Sequence, residues 1–186
     1  MGKQAEHDDT KLLAALALAL VDQPRGTLQE LAKTVGISKA TLYRFCRTRE
    51  QLIERLGHHS MRALKDALDN AGLEDLAPLE ALKRLIANNL EHRELQAFLM
   101  YYWKETGGSE AQMHWDRVLD TFFLRGQQQG VFRIDISAAA LTEIFSWTLV
   151  GLINAERLGK VARLGLATLV ENSFLQGAMA TKQPTD

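Results

Sequence analysis

Lys39, Ala40, Thr41, Tyr43 and Arg44 lie within one short stretch of the chain. Carried by a helix, they would form a surface suited to one kind of chemistry. An ammonium, a guanidinium, a phenol and a hydroxyl all donate hydrogen bonds to phosphate oxygens and base edges, and a small alanine among them permits close approach to a groove. Such a surface works only if the opposite side of the helix is anchored. Leu42 and Phe45 can do this by closing a small core with Leu28, Leu31, Ala32 and Ile37. At about 100° per residue, burying them turns Ala40, Tyr43 and Arg44 outward and puts Lys39 and Thr41 on the flanks.

The preceding residues supply the scaffold. Thr27 has the type of a helix N-cap, with Glu30 as its capping-box partner, and Leu28, Leu31, Ala32 and Val35 make an apolar face at helical spacing. Gly36 stops this helix, since glycine takes the left-handed backbone that a tight turn needs. Ser38 starts the next as an N-cap, at a helix end that also suits a phosphate. Helix, three-residue turn with glycine and second short helix are the layout of a DNA-reading helix-turn-helix. Charge agrees with this. Arg25, Lys33, Lys39, Arg44, Arg47 and Arg49 stand against the single acid Glu30, a local +5 in a chain of formal net charge -1. A cluster of this kind supplies the counterion-release contribution to duplex affinity, whereas the overall balance excludes a uniformly basic coat protein.

At this point 27–56, TLQELAKTVGISKATLYRFCRTREQLIERL, resembles the DNA-binding region of TetR-family regulators. The resemblance rests on the Gly36-Ile37-Ser38 turn, the Thr41-Leu42-Tyr43 triplet and the Glu50-x-Leu52 opening of the fourth helix. It implies a homodimer in which Thr27, Lys39, Thr41, Tyr43 and Arg44 contact double-stranded operator DNA, with a phosphate contact from Arg49, where the family usually has lysine. It departs from the family at Cys46-Arg47, where an aromatic and a proline are common, and around Asp22-Gln23-Pro24, where a glycine is usual.

The chain has 186 residues, 46% of them hydrophobic and only three prolines, enough to fold around a real core. Helical signals run from end to end, so the expected fold is all-α with about nine helices. A three-helix DNA-binding domain over 1–56 precedes a larger helical ligand-binding and dimerisation domain over 57–186. Beyond the reading head, helices are expected at 9–22, 48–70, 78–92, 94–105, 109–129, 137–158 and 161–179, with a break at Gly107–Gly108 and a frayed tail at 181–186.

Two features of the larger domain suggest partners. The segment 138–155 is apolar nearly all round, as in a helix buried on several sides, and the next helix offers a matching stripe. Phe145, Leu149, Val150, Leu152, Ile153, Leu166, Leu169, Val170 and Phe174 are therefore expected at a two-fold, four-helix interface. Aromatics and methionines gather in Phe98, Tyr101, Tyr102, Trp103, Met113, Trp115 and Phe122, with His114 among them. This group is either plain core or the wall of a pocket for a small hydrophobic or aromatic effector. The family resemblance implies that such an effector lowers operator affinity, making the protein a repressor.

Other chemistries find no support in the residues. His58 and His59 are adjacent and point apart on a helix, and His7, His92 and His114 lack ligand spacing, so no metal is expected. Gly107-Gly108-Ser109 lacks the lysine of a phosphate loop. No catalytic set and no cofactor motif can be singled out, so an enzyme is not expected. The single cysteine, Cys46, cannot pair within the chain and points to a reducing cytoplasm. The apolar run 144–153 is interrupted and too short to span a bilayer, so no membrane partner is expected. Two rivals stay open: an all-α small-molecule-binding protein or enzyme with an incidental helix-turn-helix, and a nucleoid module without sequence preference.

Overall fold

The computed structural model describes residues 2–106 and 109–180. The expected break at Gly107–Gly108 and the tail 181–186 lie outside the described residues. Nine helices are present among the described residues: α1 (Gly2–Asp22), α2 (Leu28–Thr34), α3 (Lys39–Phe45), α4 (Arg49–Asp69), α5 (Pro78–Glu91), α6 (Arg93–Tyr102), α7 (Ser109–Gln128), α8 (Ala138–Arg157) and α9 (Leu166–Ala178). The all-α class expected from periodicity is the class observed. Two boundaries differ. The first helix begins at Gly2 rather than near residue 9, and α9 begins at Leu166 rather than near 161.

The chain packs as two compact units that do not coincide with a division at residue 56. One comprises Met1–Leu64 with His92–Gly108, the other Lys65–Glu91 with Ser109–Asp186. Thus α6, assigned by position to the larger domain, belongs with the reading head.

In the first unit α1 packs on α2 and α6, and Leu16, Leu20, Leu31, Leu42, Leu52, Leu56 and Phe98 form a fully buried core. Burying each such side chain stabilises by roughly 1.5–3 kcal/mol. Pro24 ends α1 because it has no amide hydrogen to give the carbonyl of Leu20 four residues back. The hydroxyl of Tyr102 donates to that carbonyl instead, at 3.1 Å. Gly57 lets α4 approach Thr106, four residues beyond α6, closely: a Cβ there would stand 2.6 Å from the Thr106 methyl.

The second unit is built on aromatic rings. Phe123 meets Phe132, Phe145 and Phe174 with ring centroids 5.2, 6.1 and 5.4 Å away, and Phe122 joins from the neighbouring position at 5.0 Å. Edge-to-face pairs of this kind contribute about 0.5–1.5 kcal/mol beyond their burial. Gly126 makes room for Phe132, whose ring would lie 2.3 Å from a Cβ at that position. An antiparallel bridge between Phe132 and Met179 closes the cluster, with Arg133 N–H donating to Ala178 and Ala180 N–H to Val131. Arg125 donates to the carbonyls of Leu73 and Leu76 at 2.6 and 2.9 Å, holding the turn after α4.

This packing corrects the expected dimer surface. Phe145, Leu149, Ile153, Leu166, Val170 and Phe174 are interior to the unit, Leu149 being only 1% exposed. An all-round apolar helix gives its inward face no distinguishing phase, and here that face is covered by the chain's own α7 and α9. Val150 and Leu152 are half-buried, and of the nine only Leu169 is exposed. The face of α8 left uncovered carries Ile144, Trp147 and Gly151, at spacings of three and four that keep them on one side of a helix, with the exposed Leu158 at the cap just beyond. By length and composition α8 could cross a membrane, but its buried stripe of Leu141, Phe145, Leu149 and Ile153 is that of a helix packed into a core.

The aromatic set also divides. Phe98 stacks on Tyr102 at 4.9 Å inside the first unit, and Phe122 and Trp115 are buried in the second, where Trp115 donates to Ser146 at 2.8 Å. These four are core. Tyr101 and Met113 are exposed, and Trp103 and His114 half-buried.

Candidate nucleic-acid interface

The first unit positions the helix-turn-helix by local hydrogen bonds that its sequence specifies. At the start of α2, Glu30 N–H donates to Thr27 Oγ1 at 3.3 Å, while Thr27 N–H and its hydroxyl donate to the Glu30 carboxylate at 2.8 and 2.9 Å. This reciprocal box satisfies helix-end donors that would otherwise lack partners. The same bonds, first from the Thr27 backbone and then from its side chain, hold the Glu30 carboxyl below its ordinary pKa.

The turn is fixed just as locally. Gly36 has φ of 74°, and Ile37 N–H donates to Ala32 while Gly36 N–H donates to Lys33, at 3.0 and 3.2 Å. That pair of bonds is the glycine-dependent helix stop of the Schellman type. Ser38 then caps α3, accepting from Thr41 N–H at 3.0 Å, with the two hydroxyls 2.8 Å apart. The helix ends at Cys46, whose extended backbone breaks the spiral.

Within α3, Leu42 is fully buried and Tyr43 is 41% exposed. Ala40 and Arg44 are exposed beside it, as are Ser38, Lys39 and Arg47, while Thr41 is half-buried against Ser38. The outward set derived from spacing is therefore outward. Phe45 is half-buried and lies under the Arg55 guanidinium at 4.7 Å. Lys39 stands 5.3 Å above the Tyr43 ring and within 3.5 Å of the Gln29 amide oxygen. Gln29 is exposed on α2, so its amide joins the same face. The sequence reading passed it over, although its position two residues after the Thr27 cap would have identified it. Thr27, Arg25 and Lys33 are also exposed, and the surface as a whole presents cations and hydrogen-bond donors.

Two residues behave differently from the rest. Cys46 is buried, and burial pushes its thiol above the ordinary pKa, so it packs as a small apolar side chain and not as a nucleophile. Arg49, expected to reach a phosphate, is half-buried, and its guanidinium donates to the Pro24 carbonyl at 2.6 Å and to the Tyr102 hydroxyl at 2.9 Å. Partners distant in the chain thus hold this side chain against the segment between α1 and α2.

No family model matches the chain. It is 46% identical over 175 residues to the HTH-type transcriptional regulator NfxB of Pseudomonas aeruginosa, covering 91% of this chain and 94% of that protein. Among solved structures it is similar to the TetR family regulator PfmR of Thermus thermophilus, with a TM-score of 0.70 at 21% identity over 89% of this chain and 97% of that one. The ketosteroid transcriptional regulator KstR2 of Mycobacterium tuberculosis gives 0.74 at 16% identity, over 92% and 94%. The TetR-like regulator LfrR of Mycobacterium smegmatis, solved with proflavine, gives 0.67 at 18% identity, over 95% and 99%. With the helix-turn-helix intact in sequence and structure, the chain belongs to the helix-turn-helix transcriptional regulators, and its fold is that of the TetR-family structures.

Proposed function

We infer that this regulator is a cytoplasmic, ligand-responsive repressor without catalytic activity, which binds palindromic operator DNA as a homodimer and is released by a small hydrophobic or aromatic effector. The observation that carries the DNA-binding part is α3: Leu42 is sealed in the core while Ala40, Tyr43 and Arg44 face outward, flanked by Lys39 and Arg47. Arginine in such a place can bind guanine bidentately, and the surrounding cations supply the salt-dependent affinity.

Dimerisation is supported by the uncovered side of α8. Ile144 and Trp147 are 49% and 68% exposed, an unusual apolar pair to leave facing water. Gly151 has open space beside it, so a second backbone could come close. Leu169 on α9 is a further exposed apolar side chain of this unit. This face replaces the interior residues named from sequence. For the effector, the residues of the aromatic set that keep accessible surface are Tyr101 and Trp103 in the first unit and Met113 and His114 in the second. Among proteins of this fold, LfrR was solved with proflavine and KstR2 is described as a ketosteroid regulator, which favours a small effector here.

Selection from random duplex DNA at fixed salt tests the proposal. A palindromic consensus is expected. Weak enrichment without sequence preference would replace the repressor with a nucleoid module, and no enrichment would reject DNA reading.

A further inference from the structure

We propose that Arg49 is a positioning residue for DNA binding, locked to Tyr102 across the joint between α1 and α2, and not a phosphate contact. The proposal rests on the regulator reading only for its functional half.

The joint is a place where the backbone is short of partners. Pro24 has no N–H, so the Leu20 carbonyl loses its helical donor. Tyr102, at the end of α6, spends its one hydroxyl hydrogen there, at 3.1 Å. The hydroxyl oxygen is then left with lone pairs only, and it accepts from Arg49 Nη2 at 2.9 Å. The same nitrogen donates to the Pro24 carbonyl at 2.6 Å, so both Nη2 hydrogens are engaged on the joint. The guanidinium lies 5.8 Å from the Tyr102 ring, and its Nε is buried without a partner. A third tie, Gln23 Nε2 to Thr34 Oγ1 at 3.0 Å, fixes the same segment to α2.

Residues 20–24 are thus held by one bond from each of α2, α4 and α6. The consequence lies in the geometry of the head. Pro24 and Gly26 lead straight into the Thr27 cap of α2, and α2 carries the turn to α3. A charge-assisted pair anchoring Pro24 therefore fixes where the reading helix is presented, without touching DNA. Lysine could keep the charge of Arg49, but its ammonium rides on a flexible stem without a rigid plane, so more rotamer freedom is lost in holding it between Pro24 and Tyr102.

The test uses the full chain as Arg49→Ala, Arg49→Lys, Tyr102→Phe and the Arg49→Ala/Tyr102→Phe double variant. Tyr102→Phe retains the stack on Phe98 and removes only the hydroxyl. Folding equilibria come from urea unfolding. Affinity is measured across a salt series on a duplex recovered with the wild type from random DNA. Each single change should lower the folding constant roughly tenfold, and the double change should cost little more than either alone. Arg49→Lys should not restore the wild-type value. Tyr102→Phe should weaken duplex binding as Arg49→Ala does, with the salt slope unchanged. Additive unfolding effects would overturn the lock. So would full affinity in Tyr102→Phe together with a slope reduced by about one in Arg49→Ala and restored by lysine. If no duplex can be recovered, the regulator reading fails, and the unfolding cycle still decides the lock.

Discussion

Trp115 donates its indole N–H to the hydroxyl of Ser146 at 2.8 Å, tying α7 to α8 inside the second unit. Such a bond fixes the orientation of a large ring that is 5% exposed. Trp115→Phe should cost about 1 kcal/mol, the usual net worth of a hydrogen bond, whereas Trp115→Ala should cost about 3–5 kcal/mol through the cavity it leaves. Urea unfolding separates the two. An unchanged midpoint in the alanine variant would show that the indole is not part of the core.

On α8, neighbouring apolar residues should respond to a charge in opposite ways. Trp147→Glu and Ile144→Glu should shift sedimentation from dimer to monomer with helicity retained, since both side chains face solvent in the subunit. Leu149→Asp should instead unfold the unit, because it places a carboxylate in a site without partners. If Trp147→Glu sediments as the wild type does, this face is not the interface.

For DNA reading, Arg44→Ala should weaken binding to the selected duplex by about 1–3 kcal/mol and relax preference at its base pair. Tyr43→Ala should also weaken binding. Both should leave circular dichroism and dimerisation intact, as both residues are exposed. Leu42→Ala should lose binding by a different route, through about 2–5 kcal/mol of lost head stability. Undiminished binding by Arg44→Ala and Tyr43→Ala alike would remove the outward face from the mechanism.

A pH dependence should arise at Asp116. Its carboxyl is pushed above the ordinary value chiefly by burial, and further by the nearby Glu143 and Asp120 carboxylates, against a lowering bond from Gln112. A carboxyl raised in the folded state binds its proton more tightly there than in the unfolded chain. Its charge therefore costs stability above the folded pKa, and the cost disappears as pH falls below the unfolded value, around 4. Asp116→Asn, which keeps an acceptor for Gln112, should unfold at a higher temperature than the wild type at pH 7. Near pH 3.5 the two should match. A constant difference across that range would exclude titration of Asp116 as the cause.

The parts of the head that could be read from sequence are those built from near neighbours. Thr27 with Glu30, Gly36 with its flanking carbonyls, and Ser38 with Thr41 all act across three to five residues, so residue type and spacing specify them. Leu42 inward and Arg44 outward follow from the same helical period. The α8 surface was less legible, because a helix with Leu141, Ile144, Phe145, Trp147, Leu149 and Ile153 around its circumference does not disclose which side its own subunit will cover. The contact of Arg49 with Tyr102 spans 53 positions, and no local rule pairs them. The start of α9 was misjudged for a third reason. Val161 and Leu164 fit a helical stripe, yet Gly159 and Gly165 adopt φ of 69° and 82°, and the segment between them stays out of the helix with Leu164 94% exposed.

The bridge from Phe132 to Met179 has a bearing on how the protein can be shortened. Because Val131 and Arg133 rely on Ala180 and Ala178 for their main-chain partners, the strip following α9 serves as a stopper over the phenylalanine cluster. Trimming the chain back to Ala178 would take away the Ala180 amide from the Val131 carbonyl and remove Met179 from beside Phe132, so a shortened second unit should retain residues 178–180.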